Sequence, residues 1–216
     1  MLDEAALERA SAESEATTRR IFEKDPTHKV EDLDADTSAL RPDFHVFEPA
    51  GDTRGIVCEV KGVFTGGYVD GRHISEYSLD HGANPMRNAV ALKSYEKTET
   101  ALDNALAQYR SLVRDVPTFQ GVPFVVALFF DFFGDAFDLI ARNMPERPLL
   151  SAVIRVEQSK ERRDFYSKFS ADELLAIMEG RLVVTPPPET EKWALLRNTA
   201  AQYPVDKHWF EPCFEC

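Results

Sequence analysis

The stretch PFVVALFF, residues 123–130, constrains the fold more than any other part of this 216-residue chain. Eight residues without a charge, rich in β-branched and aromatic side chains, suit a central strand covered on both faces, which requires helices on either side of a sheet. The surrounding pattern supplies them. Glu4 to Lys24 reads as a helix with a weak apolar stripe, stopped by Asp25-Pro26. Residues 88–116 repeat Leu102, Ala105, Leu106, Tyr109, Leu112 and Val113 at helical spacing, and whether they form one helix or two joined near Lys97-Thr98 stays open. Further on, the pattern predicts a helix over 136–143, a strand over 150–157, a helix near 171–179, a strand over 182–185 and, after Pro186-Pro187-Pro188, a helix over 189–202.

Before the long helix, residues 30–40 (VEDLDADTSAL) read as an irregular acidic loop. Asp43 to Glu48 alternates like a strand, Pro49 to Asp52 reads as a turn, and Gly55 to Lys61 alternates again, so the three make a β-hairpin. Residues 62–71 read as a further turn, with 72–78 a short third strand. This order predicts an α/β fold with a mixed β-sheet flanked by α-helices, one domain over residues 1–216 with an irregular C-terminal tail. A dinucleotide fold is not expected, because Gly66-Gly67 lacks the spacing of a phosphate-binding loop.

The charge narrows the function. With 37 Asp and Glu against 25 Lys and Arg, the formal net is −12, whereas a general nucleic-acid binder carries a basic surface. Arg19-Arg20 and the run from Lys160 to Lys168 are local exceptions, each flanked by acids. Three cysteines form no disulfide framework; Cys58 reads as a small buried residue, and Cys213 and Cys216 lack a nearby fourth zinc ligand beyond His208. No apolar run is long enough to cross a bilayer, and the acidic opening does not resemble a secretory signal, so no membrane partner and a cytoplasmic location are expected.

Chemistry concentrates in the hairpin. Glu59 and Lys61 share one face of their strand with Val57, while Ile56, Cys58 and Val60 face a core. Pairing Glu48 opposite Gly55 puts Asp43 across from about Val60, near the Glu59 and Lys61 end, although a slip of one residue would turn one strand over. Two carboxylates and a strand carbonyl are hard oxygen ligands suited to Mg²⁺ or Mn²⁺. Each residue alone is ordinary surface chemistry; their joint occurrence in one hairpin is not.

The elements Pro42-Asp43 and Glu59-Val60-Lys61 resemble the signature of the PD-(D/E)xK nuclease superfamily. The resemblance implies a restriction-endonuclease-like fold and metal coordination by Asp43, Glu59 and the Val60 carbonyl, with Lys61 assisting the attacking water. The segment SEATTRR is similar to the family's acidic opening helix, which nominates Glu15 as a further metal-site residue, with Glu23 as competitor. ALAQYRS is similar to its glutamine-bearing helix, which nominates Gln108. The expected activity is divalent-metal-dependent hydrolysis of phosphodiesters, DNA before RNA, in restriction, repair or defence. A nuclease-like scaffold that binds a protein or nucleic acid without cutting is the alternative, and a homodimer would suit paired cuts. His45 and His73 are expected to be hydrogen-bonded structural residues, and Phe129 to Phe133 to pack in the core rather than stack on bases.

Overall fold

The computed structural model describes residues 4–34, 40–63, 68–69, 72–73, 85–130, 137–157, 168–170, 173, 176–177, 181–185 and 192–210. Its centre is the parallel pair formed by β3 (Ile56–Val63) and β6 (Phe124–Phe130), in which Glu59 lies beside Val126 and Lys61 beside Leu128. β7 (Leu150–Glu157) continues the parallel run, and β8 (Lys192–Arg197) closes that side antiparallel. On the other side β2 (Phe44–Phe47) and β1 (Lys29–Asp32) add antiparallel strands, giving a six-stranded open mixed sheet ordered β1-β2-β3-β6-β7-β8. The chain is mixed α/β with helices on both faces.

Alternation along the strands divides the apolar residues between two cores. On one face, Ile21 and Phe22 of α1 (Glu4–Phe22) and the turn residues Trp209 and Phe210 cover Ile56, Cys58, Val125, Ala127 and Ile154. On the other, Leu102, Leu106, Tyr109 and Leu112 of α2 (Pro85–Asp115) and Ile140 of α3 (Phe137–Asn143) cover Val57, Phe124, Val126, Leu128 and Val153. Residues 124–128 are wholly buried because they lie in the middle of the sheet with a core packed on each face. α2 is one continuous 31-residue helix through Lys97-Thr98. Among the described residues, no helix is long and apolar enough to cross a membrane.

Several expectations change. Residues 30–32, expected in the acidic loop, belong instead to the exposed edge strand β1 (Lys29–Asp32), held to α1 because Arg19 pairs with Asp32 and donates to the Val30 carbonyl at 3.3 Å. The predicted helix 189–202 is replaced by β8, since its short apolar run fits either period and the open edge of β7 takes it; Trp193 and Leu195 then face one core and Leu196 the other. Residues 182–185 are irregular, not a strand. Of the third strand expected over 72–78, the described part is β5 (Arg72–His73), which pairs with β4 (Tyr68–Val69) in a two-stranded sheet separate from the main one, and 74–78 lie outside the described residues. Most of 171–179, the basic run over 160–167, and Cys213 and Cys216 lie outside the described residues.

The hairpin joining β2 to β3 turns on Gly55, whose φ is +60°. A Cβ there would sit against the Val46 carbonyl oxygen and 2.8 Å from the Phe47 Cα, so only glycine closes this corner. Gly55→Ala is expected to destabilise the chain by roughly 2–4 kcal/mol, combining a left-handed conformation with a backbone clash. Urea unfolding should show the loss as a lower midpoint with an unchanged slope.

Candidate active site at the hairpin

The hairpin pairs Phe44 with Cys58, His45 with Val57 and Val46 with Ile56. This is one residue away from the expected pairing and corrects it: continued by one step, Asp43 lies opposite Glu59 rather than Val60. The tight turn around Asp52, whose side chain accepts the Arg54 N–H at 3.0 Å, and the positive φ of Gly55 take up the difference. The consequence is chemical. Phe44 and Val46 point into the α1-side core, so Asp43 shares with Glu59 and Lys61 the face that α2 covers.

Asp43 and Glu59 hold each other in place. The Asp43 N–H donates to Glu59 Oε2 at 3.1 Å, and the Val60 N–H donates to Asp43 Oδ2 at 2.6 Å. Lys61 Nζ is ion-paired with Glu59 Oε1. Along β3, the Val57 N–H donates to Pro123 O on the β6 side at 2.9 Å, while that of Val60 points to the β2 side. A strand residue directs its N–H and C=O the same way, so the Val60 carbonyl faces the space beside Asp43.

Gln108 enters from α2. Its Nε2 donates to the Arg41 carbonyl at 3.1 Å, which fixes the segment leading into Pro42-Asp43, and its carboxamide favours the ionised form of Glu59. Gln108 Oε1 is buried without a hydrogen-bond partner among the described residues. Glu15 is less engaged. Its charge reaches Asp43, but its Oε1 accepts from Ser11 Oγ at 3.2 Å within α1. Its competitor Glu23 pairs with Arg19 at 3.5 Å. Among the described residues no three His, Cys, Asp or Glu side chains gather at metal-binding spacing.

Burial dominates the electrostatics. Glu59 is 0% exposed. Desolvation, reinforced by the neighbouring Glu59 charge, pushes the Asp43 carboxyl up to about 8 despite the Val60 N–H bond. Desolvation also raises Glu59, opposed by Lys61. Two crowded carboxyls, an inward-facing carbonyl and an orphaned amide oxygen are a surplus of hard acceptors. Hard oxygen donors of this kind are those that Mg²⁺ or Mn²⁺ would take, and Asp43, Glu59 and the Val60 carbonyl are the groups that could hold such an ion.

The other candidates fall into structural places. His45 shares a hydrogen bond with the Arg54 carbonyl at 2.9 Å and stacks on Phe47 at 4.8 Å. His73 lies outside the residues whose side chains are described. Phe129 packs against the α1-side core, and Phe133 lies outside the described residues. Cys58 is fully buried, which pushes its thiol well above the ordinary range and leaves it inert. Sequence reasoning missed Arg41, whose buried Nε has no hydrogen-bond partner among the described residues; its position beside Pro42 was the available signal. Comparison with family models, curated proteins and solved structures finds no match to this chain.

A raised carboxyl makes stability depend on pH. Below the unfolded value near 3.8 Asp43 is protonated folded and unfolded, and burial costs nothing extra. As pH rises from there to about 8, only the unfolded chain ionises, so stability falls across that window. Asp43→Asn removes this dependence. Urea midpoints are expected to favour the variant at pH 8.5 and converge with the native chain near pH 4.

Proposed function

We propose that this chain is a divalent-metal-dependent phosphodiesterase of the PD-(D/E)xK type, built on a restriction-endonuclease-like fold and acting on DNA. The observation that supports this reading most directly is the placement of Asp43 opposite Glu59, locked by the Asp43 and Val60 N–H groups, with Lys61 paired beside them. An exposed Glu-x-Lys on a solvated strand would need no such enclosure. A buried ionic group is costly, and one retained inside a dry sheet calls for a purpose beyond stability.

Mg²⁺ or Mn²⁺ bound by Asp43, Glu59 and the Val60 carbonyl would polarise the phosphodiester and stabilise charge developing on its non-bridging oxygens. Lys61 holds the attacking water: its ammonium donates hydrogen bonds, and its Glu59 partner keeps it at the site rather than in solvent. The water oxygen forms the new bond to phosphorus as the bond to the leaving sugar oxygen breaks, the water's proton passing to solvent and the leaving oxygen taking one from solvent, without a covalent enzyme intermediate. Gln108 positions Asp43 through the Arg41 carbonyl. Glu15 contributes through its charge on Asp43.

The net charge of −12 favours a second reading, in which the same scaffold binds a protein or nucleic acid without cutting, because a solitary nonspecific DNase gains from a basic surface. RNA cleavage differs from the first reading in substrate alone, and a homodimer would supply paired cuts. These readings separate in one experiment. Duplex, single-stranded and branched DNA and RNA are incubated at low salt with Mg²⁺ or Mn²⁺ and either the native chain or Lys61→Ala, with circular dichroism to verify folding. Cleavage by the native chain, falling roughly 10²-fold or more in the variant, is the expected outcome. A native chain that cuts none of these and shows no calorimetric metal binding sensitive to Asp43→Asn would overturn the enzyme reading in favour of the scaffold.

A further inference from the structure

A second concave site lies at the other end of the parallel strands. The last turns of α2, residues 120–121, Leu149 and residues 202–203 enclose a cleft of about 370 Å³, within the range of small-ligand sites. Its polar lining is Arg110, Arg114, Gln120, Gln202 and Tyr203, and no Asp or Glu belongs to it. In a chain with twelve surplus negative charges, a cleft lined by two arginines and no acid is out of keeping with the average surface.

The lining is held in shape. Tyr109, on the floor, donates its hydroxyl to the Val122 carbonyl at 2.6 Å and stacks on Phe124 at 4.7 Å. The Tyr203 hydroxyl accepts from Gln202 Nε2 at 3.0 Å, and the Tyr203 carbonyl accepts from Ser151 Oγ at 2.6 Å. Arg114 is oriented by Asp115 at 2.9 Å and Ser111 at 3.0 Å. Arg110 is exposed and has no ion pair among the described residues. A third guanidinium reaches the rim, where Arg54 Nη2 donates to the Gly121 carbonyl at 2.9 Å. Gly121 has φ +84°, and a Cβ there would come 3.0 Å from Arg54 Nη2 and 3.7 Å from the Tyr203 ring. The glycine therefore lets a cation and an aromatic edge meet at one corner. The neighbouring hollow shares Arg110 and Leu149, but its Arg147 is already clamped by Glu99 at 2.7 Å and Asp103 at 3.1 Å. In the first cleft Arg110 has no ion pair among the described residues, and Arg114 meets Asp115 through Nε and Ser111 through Nη2, so that neither contact uses its Nη1.

We propose that this cleft binds a nucleotide, with its phosphate monoester on Arg110 and Arg114 and its planar base against Tyr203. Guanidinium groups match phosphate oxygens in a fixed fork, tyrosine offers a rigid stacking face, and the Gln120 and Gln202 amides both donate and accept toward a base edge. The nucleotide is either free or the phosphorylated end of a strand, since the recognised group is the same. The site is separate from the carboxylate pair. Gly121 and Leu149 precede the starts of β6 and β7, whereas Lys61 lies beside Leu128, farther along the strands.

The test is calorimetric titration of the full chain, without divalent metal, with adenosine 5′-monophosphate, adenosine, and a hexathymidylate with or without a 5′-phosphate. Arg110→Ala and Arg114→Ala are compared with native, and Asp43→Asn controls for the other site. Adenosine 5′-monophosphate is expected to bind, with affinity reduced roughly tenfold or more by Arg110→Ala or by loss of the phosphate, and unchanged in Asp43→Asn. Binding of the phosphorylated hexanucleotide alone, with the same Arg110 dependence, would support the proposal with a strand end as ligand. If neither phosphorylated probe binds, or if binding ignores both arginine substitutions or the phosphate, the proposal fails. Because no cleavage is measured, inactivity at the carboxylate pair would leave these outcomes unaffected.

Discussion

The parallel pairing of β3 with β6 is the constraint from which the rest of the structure follows. A parallel pair needs a long crossover, and here the crossover carries the 31-residue α2, which covers one face while α1 covers the other. Ile56–Val60 of β3 and residues 124–128 of β6 are thereby buried on both sides. Each large apolar side chain buried this way contributes about 1.5–3 kcal/mol. Glu59 lies in the same interior, fully buried, and its Lys61 partner is the part of the site that reaches solvent.

The carboxylate arrangement answers that burial. Glu59 obtains a backbone N–H from Asp43 and an ammonium from Lys61, while Asp43 obtains the Val60 N–H. These partners soften the desolvation of the pair without removing it, which is why both carboxyls remain raised. A protein selected only for stability would have an apolar pair there, since replacing a buried ionic group by hydrophobes is often neutral or favourable. The candidate site and the strain on the fold are thus the same feature. The arginine cleft is different in kind, because its cations stay near the surface and its floor belongs to the apolar core.

The two sites also divide the electrostatic problem of an acidic chain. Some of its cations are already paired with acids: Arg19 with Asp32 and Glu23, Arg147 with Glu99 and Asp103. These pairs join α1 to β1 and the start of β7 to α2, so removing acids from the surface average does not release a basic face. Under the proposed readings, attraction for an anionic ligand would come locally, from cations held at the carboxylates or from guanidinium groups in the cleft.

The sequence by itself determined the apolar central strand, the two covering helices, the hairpin and the side of β3 on which Glu59 and Lys61 project, because periodicity and turn chemistry are local. It did not determine which strand KWALLR would join or that it would be a strand at all. Its short apolar run suits either period, and the unpaired edge of β7 settled the matter. Nor did it determine that Lys29–Asp32 pairs at the edge, since that strand has little apolar content and is held by β2 and Arg19. Above all, the register of β2 against β3 was decided by the φ of Gly55 and the Asp52 turn, which placed Asp43 opposite Glu59 instead of Val60. The residues of the candidate site were legible from the chain, whereas the face they share and the burial that raises their pKa values depend on pairings and helices many residues away.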